Sequence, residues 1–141
     1  MVFPDVNVYV DALMSGAEMH EKSRAWLQRA LAGTEPVAIW EPVLCSVIRV
    51  TTRSRVFQPV ATVSEAIKFV TAVRTSTVAV VVRPGERFWP ILEQLLGAVG
   101  TGGNLVTDAM AAAVAIEHDC TLVSSDRDFA RFPGLKWEIP S

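Results

Sequence analysis

The sequence predicts an α/β fold: a three-layer sandwich around a mainly parallel sheet of four to five strands. Three observations carry this. Short apolar runs at 2–6, 37–40, 78–82 and 121–124 alternate with longer helical patterns. Most of these runs are apolar on consecutive positions, as expected of strands covered on both faces. The segments between them are long enough for the helical crossovers that parallel pairing requires. A length of 141 residues suits one compact domain spanning 1–141.

Each element follows in chain order from local signals. Val2 to Val6 is short and rich in β-branched residues, a buried strand that runs out at Asp5. A helix starts at Asn7 and is broken by Ser15-Gly16 after Met14. Glu18 to Ala32 places Ala25, Leu27, Ala30 and Leu31 among charges and stops at Gly33, an amphipathic helix. Val37 to Trp40 is a strand, and Pro42 suits the first turn of a helix running to about Arg53. Thr62 and Glu65 have the spacing of a capping box and open another helix. Val78 to Val82 is the most apolar strand. Glu86 to Val99 is helical, with Pro90 marking an early turn or a kink. Gly100 to Gly103 forms a flexible loop before an alanine-rich helix within Asn104 to His118. Thr121 to Ser124 is a further strand, and Trp137 to Ile139 a short last one.

Composition excludes several classes. Half the residues are apolar and 20% charged, which argues against disorder. No apolar run reaches the roughly 18 residues of a membrane span, and MVFPDVNVYV lacks the basic start of a signal peptide. The expectation is a cytoplasmic protein with no membrane association. Cys45 and Cys120 are read as buried free thiols, and with His20 and His118 they offer no zinc spacing. A net charge of −2 does not advertise nucleic-acid binding, so any such site must be a local basic patch. Ten of the 13 basic residues are arginine, the residue suited to bidentate phosphate contacts.

The carboxylates are placed unusually. In parallel α/β sheets, ligands bind beyond the carboxyl ends of strands. Asp5 ends the first strand, Asp126 and Asp128 follow a later one, Glu41 follows Trp40, and Asp108 opens the alanine-rich helix. Taken singly, each has an ordinary reading. Asp108 and Glu41 suit helix N-termini, worth about 0.3–1 kcal/mol through the dipole, and Asp126 or Asp128 suits a turn or cap. Asp5 resists this, because an acid directly after a buried strand faces desolvation. Asp11 and Asp119 read as surface acids. Clustered carboxylates repel unless a cation neutralises them, and a hard divalent ion with oxygen ligands would do so.

The stretches PDVNVYVDA and TDAMAAAVAIEHDCTLVSSDRDFARFPGL, separated by the remaining bulk of the chain, resemble a PIN domain. More narrowly, the chain is similar to the VapC ribonuclease toxins of bacterial type II toxin–antitoxin modules. The resemblance implies an endoribonuclease dependent on Mg²⁺, with Mn²⁺ as the other candidate. It implies Asp5, Asp108 and Asp126 as the catalytic acids and, with Asp128, as metal ligands. The family often carries Glu-x-x-Arg on the third helix. Here the matching stretch is Ser46-Val47-Ile48-Arg49, with Glu41 as the only nearby substitute. That departure motivates an alternative, a PIN domain that binds RNA or a partner without cutting. A phosphate-receiver domain also carries strand-end acids, but it needs a lysine after a late strand and Lys136 is poorly placed.

Arg49 and Arg53, four apart on one helical face, together with Arg55, Arg127 and Arg131, form a candidate RNA-binding rim. Trp26, Trp40, Trp89 and Trp137 can stack bases or pack. The resemblance further implies a cognate antitoxin that lays a peptide, often with an arginine, across the acidic site. Apolar surface around Trp26, Leu27 and Leu31 would suit that partner or a homodimer.

Overall fold

The computed structural model describes residues 1–141. Strand β1 (Val2–Pro4) leads into α1 (Val6–Leu13) and α2 (His20–Ala32), then β2 (Val37–Ile39), α3 (Glu41–Thr51) and α4 (Val63–Arg74). The second half holds β3 (Ala79–Val81), α5 (Phe88–Val99), α6 (Leu105–Glu117), β4 (Thr121–Val123), a 3-10 turn (Arg127–Arg131) and β5 (Lys136–Glu138). The five strands form one sheet in the order β3-β2-β1-β4-β5, and every pairing is parallel. The expected sandwich of helices about a parallel sheet is therefore present.

The chain moves outward from β1 through β2 to β3, then returns across the sheet to β4 and β5. Right-handed crossovers put α1–α4 on one face and α5–α6 on the other. Packing agrees: α1 lies on α2 and α3, α3 on α4, and α5 on α6. The reversal makes the gap between β1 and β4 the topological switch point, where an open α/β sheet forms its crevice. Val8, Val37, Val47, Val114 and Leu122 are fully buried at the centre of one continuous core.

The element ends follow local chemistry. Thr62 Oγ1 accepts from the Glu65 N–H at 3.1 Å and Glu65 returns a bond from the Thr62 N–H at 2.9 Å, the expected capping box. Pro90 lies within the first turn of α5, where its missing N–H costs nothing, and the helix runs on to Val99. Gly100 ends α5 at φ 71°, a conformation that favours glycine.

Several expectations change. The most apolar strand is an edge strand, with Val80 43% exposed, because nothing pairs beyond β3. Cys120 is buried, but Cys45 is exposed on the outer face of α3. Leu27 is core rather than surface. Trp26 and Leu31 are half-buried on different sides of α2, so they do not form one exposed patch. No helix is long and apolar enough to cross a membrane.

Candidate functional site

β1 and β4 pair in register, Pro4 opposite Val123, so the next residues, Asp5 and Ser124, emerge side by side at the switch point. The Asp5 N–H donates to the Val123 carbonyl at 2.9 Å, extending the ladder by one bond. Asp5 is then the N-cap of α1, buried to 9% exposure.

Ser124 is completely buried and is the hub of a polar network. Its hydroxyl donates to Asp5 Oδ2 at 3.1 Å and accepts from Asn7 Nδ2 at 2.8 Å and from the Asp126 N–H at 3.0 Å. One donor and two acceptor positions are all a serine hydroxyl has. Asn7 also accepts from the Ser125 N–H at 3.3 Å, and the Trp137 indole donates to the Ser124 carbonyl at 3.1 Å. These bonds tie the start of α1 to the turn after β4. On that turn Asp126 is the N-cap of the 3-10 segment, accepting from the Asp128 N–H at 2.8 Å. The capping role expected of Asp126 taken alone is thus real, and it coexists with the cluster.

Asp108 sits in the first turn of α6, half-buried. Burial pushes its pKa up, and the charges of Asp5, Asp126 and Asp128 push it further, to about 6. The Asp5 carboxyl is also raised, chiefly by burial and in part by Asp126. The Val6 and Asn7 N–H groups and the Ser124 hydroxyl pull it back. Four aspartates from three segments therefore act on one another at the carboxyl edge of the sheet. Their donors are all oxygen, the chemistry preferred by Mg²⁺, Mn²⁺ and Ca²⁺. The side chains are not drawn together into a closed set of three or more ligating groups.

A cleft of about 430 Å³ opens from Asp5 and Asp108 between α1, α3 and α6. Ser46 and Arg49, four and seven residues after Pro42, both line it from the same face of α3. Glu41 does not. Its carboxylate accepts from Arg74 at 2.8 Å and lies 3.8 Å from Arg83, so it braces the start of α3 against the end of α4. Arg53 is exposed just beyond α3 and is not among the cleft residues. Arg127 is exposed beside the acids, and Arg131 lies 4.0 Å from Asp128. Asp11, expected at the surface, is half-buried in the cleft wall, whereas Asp119 is exposed and pairs with Lys136 at 2.7 Å. Asn7 and Ser124 are the site residues that the sequence did not single out, and Asp11 the one it assigned to the surface. Asn7 and Ser124 each lie within two residues of an aspartate already singled out, the one signal available.

The switch-point crevice and its strand-end aspartates define a recognised class. A family model for the PIN domain matches residues 2–135, and the chain belongs to the PIN-domain family. Within it, the chain groups with the VapC ribonucleases. It is 39% identical to VapC ribonuclease Mb2897 of Mycobacterium bovis over 99% of this chain and 95% of that one. It is also 39% identical to Ribonuclease VapC37 of Mycobacterium tuberculosis, covering 99% and 97%. Among solved structures, VapBC2 from Rickettsia felis, bound to a promoter DNA fragment, superposes with TM-score 0.72 at 18% identity over all of both chains. VapC20 of Mycobacterium tuberculosis, described as a Sarcin-Ricin loop cleaving toxin, superposes with TM-score 0.68 at 19% identity over 96% and 99%.

Proposed function

We propose that this protein is a metal-dependent endoribonuclease, the toxin of a toxin–antitoxin pair. The ribonuclease names of relatives at 39% identity support the activity. The observation that carries the site is Asp108, raised to about 6 by burial and by three neighbouring aspartates. Such mutual repulsion is relieved by a bound cation. Asp5 and Asp108 would hold a Mg²⁺ or Mn²⁺ ion, with Asp126 and Asp128 completing the set. That ion, when bound, supplies Lewis acidity that activates a water and screens phosphate charge. The chain's own residues do the rest. Ser124 and Asn7 fix Asp5 and the Asp126 turn. Arg49 on the cleft wall and Arg127 beside the acids meet the RNA phosphates, which otherwise approach an anionic site. The water oxygen would form the new bond to phosphorus as the bond to the departing ribose oxygen breaks, and the proton lost by the water would be balanced by the one that oxygen takes up from solvent.

The partner reading is a cognate antitoxin, supported by similarity to VapBC complexes. An apolar groove along α1, α2 and α4, lined by the half-buried Leu13, Leu31 and Phe69, offers it a seat. A guanidinium is a fitting visitor to the acids. Assembly as a homodimer or a toxin–antitoxin hetero-oligomer belongs to the same reading.

Purified, partner-free protein should cut total cellular RNA into discrete fragments with Mg²⁺ or Mn²⁺. Cutting should stop with chelator and in Asp5→Ala. A second reading, binding without cutting, is favoured by Ser46 facing the cleft in place of an acid. Intact RNA from folded protein in both metals, with RNA still bound, would select it.

A further inference from the structure

The cleft does not end at the four aspartates. It continues along α1 past Val6 and Val10 and between Trp40, Val50 and Met110, a largely apolar stretch that Ser46, Arg49 and Thr107 also border. Asp11 lines it too, further along α1. It lies six positions after Asp5, roughly 9 Å of helical rise, and burial, His20 and Glu18 act on its carboxyl rather than Asp5 or Asp108. Asp11 is therefore outside the acidic cluster. Its neighbours are His20, whose Nδ1 lies 2.7 Å from the Asp11 carbonyl, and Glu18. The Asp11 carboxylate itself takes no hydrogen bond or ion pair. A half-buried acceptor that no donor bonds, with only the charge of His20 nearby to favour it, can meet donors carried by a flat apolar body in this largely apolar slot.

We infer that this slot takes one nucleobase of a single-stranded RNA, and that Asp11 reads guanine. The inference rests on the ribonuclease reading of the acids. The span from Asp5 to Asp11 is comparable with the reach of one nucleotide from its phosphate to the far edge of its base. A phosphate at the acids thus delivers its base into the slot. Trp40, a core residue that is 8% exposed, forms part of the slot's apolar floor rather than a stacking platform. An ionised carboxylate only accepts, through two oxygens. Guanine presents two adjacent donors, N1–H and the N2 amine, and satisfies both oxygens. Adenine, cytosine and uracil each set an acceptor beside their donor, so one carboxylate oxygen would face a lone pair.

The test uses fluorescence anisotropy with labelled six-nucleotide RNAs, with Ca²⁺ replacing Mg²⁺. A uridine background carries one guanosine, inosine or adenosine, or no purine. The guanosine RNA should bind about 10- to 100-fold more tightly than the uridine-only RNA, the usual scale of one bidentate base contact. Inosine, which lacks only the N2 amine, should fall between them without any change to the protein. Asp11→Asn should collapse the differences. Equal affinities for all four RNAs, or a guanosine preference that survives Asp11→Asn, would overturn the inference. RNA bound and cut without base preference would leave the ribonuclease reading standing and remove this one, as would a slot reserved for a partner's peptide. Neither binding nor cleavage of any RNA would remove both.

Discussion

Ser124 carries more of the site than any single aspartate, because its buried hydroxyl serves Asp5, Asn7 and Asp126 at once. Ser124→Ala strands a buried donor and leaves Asp5 without its hydroxyl partner, a loss of about 2 kcal/mol. Urea unfolding should show this as a lower midpoint at unchanged slope; a loss below about 0.5 kcal/mol would mean that the network does not hold the turn. Asp108 sets a pH dependence. An acid whose pKa is raised on folding imposes no penalty below its unfolded value, 3.8, and its full penalty above its folded value, about 6. In EDTA, stability relative to Asp108→Asn should therefore fall as pH rises across that window, and Mg²⁺ or Mn²⁺ should restore it. A constant difference between the two proteins from pH 4 to 7 would refute the shift. Asp5 and Asp126 were legible as strand-end acids from sequence. Ser124 was not, because which of Ser124 and Ser125 points inward depends on the last pairing of β4.

Elements differ in how much of their structure is local. The capping box of α4 was readable from Thr62 and Glu65 because both partners lie within one turn. Thr62→Ala removes one of these bonds and should cost about 1 kcal/mol by thermal or chemical denaturation. A neutral outcome would mean that α4 starts equally well without its cap. β3 shows the opposite case. It is the most apolar strand in sequence, yet that did not fix its place: it lies at the edge, since a strand's neighbours are set by crossovers of distant segments. Glu41 behaves likewise. Its position after β2 was visible, but Arg74, 33 residues later, turns it away from the cleft.

The molecule as a whole is slightly acidic, at net charge −2, so RNA cannot be held by a general positive field. A few arginines must do it. With about three phosphate contacts, the salt slope of single-stranded RNA binding should be near −2, following roughly −0.7 per contact. Arg49→Ala should lower its magnitude by about 0.7, while Arg53→Ala, outside the cleft, should leave it unchanged. Equal slopes for wild type and Arg49→Ala would remove Arg49 from the RNA path. By itself the sequence determined the α/β alternation, the helix caps and which acids end strands, because apolar periodicity and capping act over a few neighbouring residues. Only the tertiary structure decided that β1 and β4 are adjacent, that Ser124 rather than Ser125 meets Asp5, that Glu41 faces Arg74 and that Asp11 lines the cleft. Those are pairings across long loops, and strand order and register depend on how the whole chain buries its apolar surface.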